Sequence, residues 1–405
     1  MKSVLHKVNK VYDEQNPSTY LKNFKNLKTF IKNRENLLLD LKLPKRVFLN
    51  ANLIDYGSGM GLNTIVYSSL GSKCTLIEYD KKSVLFSKNL FKKHSKNKYK
   101  IINEDIFKFK TKKKYDIVVS NGVVHHTKDP TKNLKLCVKS LKKGGFFILG
   151  IGETNGFFQR NLQRHILYNL AGDKNELISL AKIFFQEHLK RASKYSGRSV
   201  EEIIYDTYLN PKIKTLSLGY ILKFFQLNKI EKYSFYGDQK SVFNILNKNV
   251  NQFRLINKNK NKNIKYDSFS NLNLHDIENF SLSNNKFESV NNFTFNKINQ
   301  MNEALNKFTD SINDIEFNRK NPKINLNRIK ILRKKISLIK KIDLIDKTHN
   351  QSFLNENYNL LKLLYSNLEK KQKIFRIENY LSKCKVLLRG LNGTGMNYIV
   401  GYKKK

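Results

Sequence analysis

The fold of this chain is decided by one stretch, Asp55–Gly61, which reads Asp-Tyr-Gly-Ser-Gly-Met-Gly. The apolar residues Ala51–Ile54 precede it, and Leu62–Leu70 have the pattern of a helix that leaves it. Glycines take backbone dihedrals that other residues avoid and let the backbone approach a ligand closely. The first turn of the helix presents free N–H groups to the same place. The stretch therefore predicts a strand, a tight turn and a helix that together hold a nucleotide-like ligand.

Length and composition set the next limits. The chain has 405 residues, of which 40% are hydrophobic, enough for one large domain with an insertion or for two domains. It has no apolar run of about 18 residues, and Met1–His6 lack the apolar core of a signal peptide. Three scattered cysteines, Cys74, Cys137 and Cys384, fit neither a zinc site nor a disulfide framework. We expect a cytoplasmic protein with no membrane span and no metal.

The net charge of +43 invites a nucleic-acid interpretation. The lysines, however, come with abundant Asn and Ile, as in the alternating Asn257–Asn263, and these residues share A/T-rich codons. They are also spread along the chain. We therefore favour compositional bias over a dedicated polyanion-binding surface.

Apolar, strand-like runs alternate with amphipathic segments through the first part of the chain, which predicts βαβ crossovers and a parallel sheet covered on both faces. The predicted strands are Asn52–Asp55, Cys74–Tyr79, Lys100–Asn103, Asp116–Ser120 and Gly145–Ile151. The predicted helices lie near Leu62–Leu70, Lys82–His94 and Thr131–Leu141.

The second half has a different character. Lys229–Tyr236 predicts a sixth strand, and the strand-like Met396–Tyr402 needs a sheet to join, for which the main sheet beside the sixth strand is available. Between them, Asn251–Asn296 predicts a loose loop. Three helical stripes follow, over Ile298–Ile315, Ile329–Ile345 and Leu354–Leu368, and we expect them to pack locally as a helical hairpin rather than as an oligomerising coiled coil.

These patterns divide the chain into six expected segments. They are an N-terminal helical cap (1–45), the ligand-binding core (46–151), a helical substrate lid (152–228), the sixth strand (229–240), a Lys/Asn-rich, partly disordered helical insertion (241–390), and a closing strand (391–405) that follows the turn residues Leu391–Gly395.

Polar residues of suitable type follow the predicted strands, at the edge where α/β sheets bind nucleotides. Glu78, favoured over Asp80 by its place at the strand end, can take both ribose hydroxyls. Asp105, favoured over Glu104 by the Ile106 that follows, can take an adenine amino group. Dinucleotides and S-adenosylmethionine are the two ligand classes that use such a turn. The dinucleotide fingerprint places its third glycine one position later and needs no preceding acid, so the spacing favours the methyl donor.

The order of these residues resembles the class I S-adenosylmethionine-dependent methyltransferases. Asn121–His126 and the turn Leu141–Gly145 complete the resemblance, which is strong over residues 50–151 and looser over 152–237. The Val-Val-His-His element is similar to the branch with quinone-biosynthesis and small-molecule enzymes. The resemblance implies a Rossmann-like, seven-stranded, doubly wound α/β sheet with an antiparallel last strand, and S-adenosylmethionine as cofactor. The cofactor-binding residues that it implies are Asp55, Gly57, Ser58, Gly59, Gly61, Glu78, Tyr79, Asp105, Ile106 and Asn121.

Candidate catalytic and substrate residues lie further along. His125 or His126 can serve as a general base, although one can equally cap the next helix while the other packs. The candidate acceptor contacts, for which an ordinary helical cover is an equal alternative, are Glu153, Asn155, Arg160, Arg164, His165 and Tyr205.

The function that we favour is methylation of a small-molecule or glycan-like acceptor. One alternative is methylation of tRNA or rRNA with help from the basic insertion, and another is a non-catalytic cofactor-binding scaffold with a helical interaction arm. Ser120–Val123 lacks the Pro-Pro motif of base-amino methyltransferases and the Pro-Cys motif of cytosine-C5 enzymes, and no P-loop exists. The oligomeric state is left open.

Overall fold

The computed structural model describes residues 27–154, 156–196, 198–211, 213–236, 303–304, 306–313, 315–337, 347–385, 387 and 396–404. The predicted loop Asn251–Asn296 and the turn Leu391–Gly395 lie outside these residues.

Seven strands form one sheet in the order β3-β2-β1-β4-β5-β7-β6. They are β1 Asn52–Tyr56, β2 Lys73–Glu78, β3 Tyr99–Asn103, β4 Tyr115–Asn121, β5 Leu141–Gly152, β6 Ile230–Tyr236 and β7 Met396–Lys403. The first five pair in parallel, whereas β7 is antiparallel to β5 and to β6. The predicted fold class, including the antiparallel closing strand beside the sixth, is confirmed.

Helices cover the sheet and form a layer above its carboxyl edge. They are α1 Leu27–Asp40, α2 Leu62–Ser69, α3 Lys81–His94, α4 Pro130–Ser140, α5 Phe158–Leu170, α6 Lys174–Phe184, α7 Gln186–Ser196, α8 Val200–Ile204, α9 Leu218–Leu227, α10 Leu326–Ser337, α11 Lys347–Leu364 and α12 Lys370–Lys383. A π-helical turn, Tyr205–Leu209, continues α8. In the part of the chain that the structure describes, no helix is long and apolar enough to cross a membrane.

The central strands are buried on both faces, so their sequences are apolar almost throughout. Successive side chains point to opposite faces. Leu53 belongs to one core cluster, with Val119 and Ile148, while Ile54 belongs to the cluster on the other face, with Val118. This double burial fixes the register of the strands and therefore the position of the loops at their carboxyl ends.

The lid helices and the described part of the insertion share a single hydrophobic core. Helices α5 to α8 and α10 to α12 bury residues of one cluster, which we call the helical layer. Phe158 of α5 and Phe308 of the insertion, for example, pack with ring centroids 4.7 Å apart. The described part of the insertion therefore packs against helices α5 to α8 in one core.

The sequence analysis did not predict helix α12 of this layer. The stripe Leu354–Leu368 was expected as one helix, but α11 ends at Leu364 and α12 follows a short break. Helix α12 is rich in lysine and buries only Ile377 and Leu381 among its residues, so its apolar stripe is weak. Pattern reading misses a helix of this kind because the stripe is its main signal.

Candidate functional site

A cavity of about 1040 Å³ lies at the carboxyl ends of β1 to β5, under the helical layer. Loops after these five strands, helix α1, the start of α5, the π-helical turn and β7 all contribute to its wall. The wall includes most of the predicted cofactor residues, namely Gly57, Ser58, Gly59, Glu78, Tyr79, Asp105, Ile106 and Asn121.

The glycine turn forms the head of the cavity. Gly57 and Gly59 have φ values of +75° and +54°, which L side chains rarely adopt. The N–H groups of Gly57 and Ser58 donate to the carbonyl of Ile77 at 2.9 and 3.1 Å, which ties the turn to β2. Among the described residues, the buried Ser58 Oγ and Asn63 Oδ1 have no hydrogen-bond partner, and both residues line the cavity. Buried polar atoms need partners, so this wall fits a polar ligand.

Asp55 and Gly61 lie behind the wall rather than in it. Asp55 is 2% exposed, and its Oδ2 accepts a hydrogen bond from the Thr64 hydroxyl at 2.6 Å. Burial raises the pKa of Asp55 to about 7, and the nearby Glu78 adds to the rise. Gly61 is the N-cap of α2, with φ +75°. Both residues support the turn from inside the fold, and Asp55 Oδ1 is buried without a hydrogen-bond partner among the described residues, so ligand contact at these two positions stays a prediction.

Glu78 connects the glycine turn to the loop after β2. Its Oε2 accepts from Gly59 N–H at 2.7 Å, and its Oε1 accepts from Asp80 N–H at 2.9 Å. Burial raises the pKa of Glu78, and these backbone hydrogen bonds oppose the rise. A carboxylate has about four acceptor positions, so the side chain can hold the turn and still accept bonds from a ligand.

Asp105 and Ile106 lie together after β3. Asp105 Oδ1 accepts from Phe107 N–H at 2.9 Å, which shapes the loop, while Ile106 is 9% exposed at the wall. Across the sheet, Asn121 ends β4 so close to Gly150 that a side chain at position 150 would collide with it. The loops after β3 and β4 thus fix the positions of Asp105 and Asn121.

The two histidines have different surroundings. His125 is 2% exposed, and its Nδ1 accepts a hydrogen bond from Gly152 N–H at 3.0 Å. Burial first, and the nearby His126 and Arg160 next, hold the pKa of His125 well below its usual range. Its Nδ1 is therefore occupied, and the neutral ring carries its proton on Nε2. His126 lines the same cavity with its ring centroid 4.2 Å away, so geometry favours His126 over His125 as a base.

Arg160 alone among the described acceptor candidates reaches the wall. Its guanidinium lies 4.9 Å from the ring centroid of Phe157, and both residues line the cavity. Tyr205 does not line it; Lys174 Nζ lies 4.8 Å from the Tyr205 ring, and the following Asp206 and Thr207 take the wall positions. Asn155 lies outside the described residues.

Glu153, Arg164 and His165 are structural. Glu153, 1% exposed, accepts from Gly156 N–H at 2.7 Å. Arg164, also 1% exposed, donates to the carbonyls of Asn210 and Ile315, each at 3.1 Å. His165 is fully buried and hydrogen-bonds the Tyr365 hydroxyl at 2.6 Å. None of the three lines the cavity, and their contact with an acceptor stays a prediction that this structure does not support.

Several wall residues were not predicted. Phe30 and Arg34 come from α1, and Met396 and Tyr398 come from β7. Arg34 Nη1 donates to the Tyr398 hydroxyl at 3.0 Å across 364 positions of sequence. The apolar pattern of β7 predicted a strand, but only its register on β5 shows that Tyr398, opposite Gly150, reaches the cavity.

Comparisons with known proteins agree with this architecture. The family model described as a methyltransferase domain matches residues 54–149. No curated protein matches the chain.

Three solved structures illustrate the likeness. A magnesium protoporphyrin IX methyltransferase from Synechocystis PCC 6803 is 12% identical, with 57% of this chain and 86% of that chain covered and a TM-score of 0.34. The N-methyltransferase NodS from Bradyrhizobium japonicum WM9 is 18% identical, with 38% and 75% covered and a TM-score of 0.31. An S-adenosylmethionine-dependent methyltransferase from Clostridium acetobutylicum ATCC 824 is 17% identical, with 39% and 61% covered and a TM-score of 0.28.

The glycine turn stands at the head of the cavity, and acids follow β2 and β3 at the same edge. The match over residues 54–149 spans these elements from β1 to β5. Residues 54–149 therefore carry a methyltransferase domain, set within the seven-stranded sheet.

Proposed function

We propose that this enzyme methylates a small-molecule acceptor, glycan-like molecules included, bound between His126 and the helical layer. The supporting observation is that a single cavity includes Gly57 as well as Arg160 and Asp206 in its wall. Its volume of about 1040 Å³ is at the upper end of ordinary ligand pockets, which favours a site for two ligands side by side. A roofed cavity suits a compact acceptor better than a folded RNA.

The cofactor-binding residues follow from the wall. We assign the ribose hydroxyls to Glu78, the adenine amino group to Asp105 and the adenine face to Ile106. Ser58 Oγ and Asn63 Oδ1 offer further polar contacts. When bound, S-adenosylmethionine supplies an electrophilic methyl group on a sulfonium.

At the other end of the cofactor, Arg34 is the candidate for its carboxylate, because a guanidinium matches a carboxylate in shape and charge. Arg34 lines the cavity near Asn63 and Asn121. The hydrogen bond to Tyr398 fixes the direction of its side chain.

The protein positions the acceptor, keeps water out of the site and, where the acceptor atom must lose a proton, supplies a base. The helical layer excludes water and holds the acceptor in line with the methyl group, which can provide much of the rate enhancement. His126 takes the proton if the acceptor atom is a hydroxyl. We also propose a cytoplasmic location, which the three free and buried cysteines support.

Calorimetry with S-adenosylhomocysteine tests the cofactor assignments. Glu78→Gln and Asp105→Asn are expected to weaken binding by about 10- to 100-fold, since hydrogen bonds to charged groups are worth about 1.5–3 kcal/mol. Glu201→Gln is the matched control, because Glu201 pairs with Lys182 on the surface, outside the cavity. Unchanged affinity in both site variants would contradict the assignment.

A second experiment tests the acceptor class. Cell extract is divided into small-molecule and RNA fractions, and each is incubated with the enzyme and methyl-labelled cofactor. Label in the small-molecule fraction supports the proposal. Label in the RNA fraction alone, removed by ribonuclease, would replace it with the RNA alternative.

A further inference from the structure

The wall that faces the acceptor has a distinct chemical character. We call this part of the cavity, formed by Phe157, Arg160, Arg198, Asp206 and Thr207, the acceptor wall. It holds two guanidinium groups and one carboxylate. The other acids of the cavity wall follow β2 and β3 or begin α3 and α4.

The single carboxylate of the acceptor wall is already engaged. Arg198 Nη1 donates to Asp206 Oδ2 at 2.8 Å, with 10% and 23% of the two side chains exposed. The pair cancels its own charge and holds the Arg198 guanidinium in one orientation. With two arginines and one aspartate, the five residues of the acceptor wall carry a formal net charge of +1.

Arg160 is held in place by aromatic contacts. Its guanidinium lies over the Phe157 ring, and that ring lies 5.7 Å from His125 between centroids. The positive charge of Arg160 is one reason why the pKa of His125 is low. His125 is therefore neutral and adds no positive charge of its own beside Arg160.

The backbone of the acceptor wall is unusual as well. Asp206 and Thr207 belong to the π-helical turn, a rare conformation that is common at functional sites. Buried Arg164 supports this turn by donating to the carbonyls of Thr207 and Asn210, at 3.4 and 3.1 Å. Because a buried guanidinium is costly to desolvate, its use here indicates that a fixed backbone at Asp206 and Thr207 is important for the cavity.

We propose that the methyl acceptor carries an oxyanion, a carboxylate or a phosphate, which is bound by Arg160 and Arg198, with Asp206 orienting Arg198. Paired N–H groups of guanidinium match the oxygens of such an anion in spacing and charge. This inference rests on the proposed function and adds to it the chemical class of the acceptor.

The first test separates the small-molecule extract by anion exchange into a retained and an unretained fraction. The full-length enzyme is incubated with each fraction and methyl-labelled cofactor. Labelled product from the retained fraction supports the proposal, whereas product from the unretained fraction alone overturns it. If neither fraction is labelled while S-adenosylhomocysteine still binds, the small-molecule function fails and this inference fails with it.

The second test uses variants on the retained fraction. Arg160→Gln and Arg198→Gln are expected to raise the acceptor concentration for half-maximal rate by about 10- to 100-fold, with Arg160→Lys less impaired. Affinity for S-adenosylhomocysteine should be unchanged, which also shows that the variants fold. Arg191→Gln is the control, because Arg191 is an exposed arginine of α7 outside the cavity wall. An unchanged acceptor dependence in both Gln variants would overturn the proposal.

Discussion

Asn313 of the insertion makes three hydrogen bonds to Thr215, two to its backbone and one to its hydroxyl. Its Oδ1 accepts from the Thr215 N–H at 3.0 Å and from the Thr215 hydroxyl at 2.8 Å, and its Nδ2 donates to the Thr215 carbonyl at 3.0 Å. Two residues earlier, Ile213 lines the cavity, and Lys214 N–H donates to the carbonyl of His125 at 2.7 Å. The insertion thus fixes the segment 213–215, which contacts both the cavity and the loop that holds His125.

Asn313→Ala is expected to loosen that segment. The variant leaves the N–H of Thr215, a residue 2% exposed, without its partner, which costs about 1–3 kcal/mol of unfolding free energy. Urea unfolding measures this loss, and turnover should fall more than S-adenosylhomocysteine affinity. Asn321→Ala is the control, since the Asn321 amide bonds only within its own turn to Glu316. Equal effects of both variants would contradict the role assigned to Asn313.

Two glycines with the same backbone strain should respond differently to alanine. Gly57 and Gly122 have φ values of +75° and +76°, so either substitution carries a strain of about 1–2 kcal/mol. A Cβ at Gly57 would also lie 2.6 Å from Val123 Cγ2, whereas a Cβ at Gly122 meets nothing within 4 Å. Thermal unfolding should show the larger loss for Gly57→Ala, by about 1–3 kcal/mol more. Val123→Ala in the same chain should recover part of that difference, and no recovery would argue against the contact.

The buried His165 predicts a stability that declines in acid. Burial lowers the pKa of His165 from 6.5 to about 4. Between these values the unfolded chain binds a proton that the folded chain refuses, so the free energy of unfolding falls as the pH drops through this window. One such group contributes a slope of up to about 1.4 kcal/mol per pH unit. His125 and His188, whose pKa values are also lowered, add to the slope.

Denaturant unfolding at a series of pH values between 4 and 6.5 measures that slope. His165→Gln should reduce it, while His94→Gln, at an exposed position at the end of α3, should not. A slope that is the same in all three proteins would show that His165 is not the group responsible.

Substitution of His125 should mainly lower stability, whereas substitution of its neighbour His126 should mainly lower turnover. His125→Ala removes the acceptor for Gly152 N–H inside the fold and is expected to cost about 1–3 kcal/mol of stability. His126→Ala should leave stability and cofactor affinity nearly unchanged but reduce turnover by about 10²- to 10⁴-fold if the acceptor atom is a hydroxyl. Turnover that rises with pH in the wild type and loses this dependence in His126→Ala would support a role as base. A fully active His126→Ala would assign the residue to packing.

The fold was predictable because its signals are local and repeated. Asp55–Gly61 marks one turn, Glu78 and Asp105 mark the next strand ends, and parallel strands bring such ends to one edge of the sheet. The sequence could therefore predict both the type of these residues and their common location at one edge of the sheet.

The rest of the site depends on contacts that no short pattern records. Arg164 and Arg160 lie on one helix four residues apart, yet one is 1% exposed within the fold and the other lines the cavity. Which of the two faces the ligand is decided by the packing of the insertion, through Ile315. The contact between Arg34 and Tyr398 likewise needs the register of β7, which only the assembled sheet supplies.

The central position of β7 has a consequence for the order of synthesis. Strand β5 pairs with β4 on one side and with β7 on the other, and β6 reaches the sheet only through β7. On the ribosome, the edge of β5 and the whole of β6 must wait, without a sheet partner, until Met396–Lys403 emerges. Unpaired strand edges attract other chains, so nascent or prematurely stopped polypeptides of this protein are exposed to aggregation. Among the seven strands that the structure describes, the last in sequence is the one that joins β6 to the rest of the sheet.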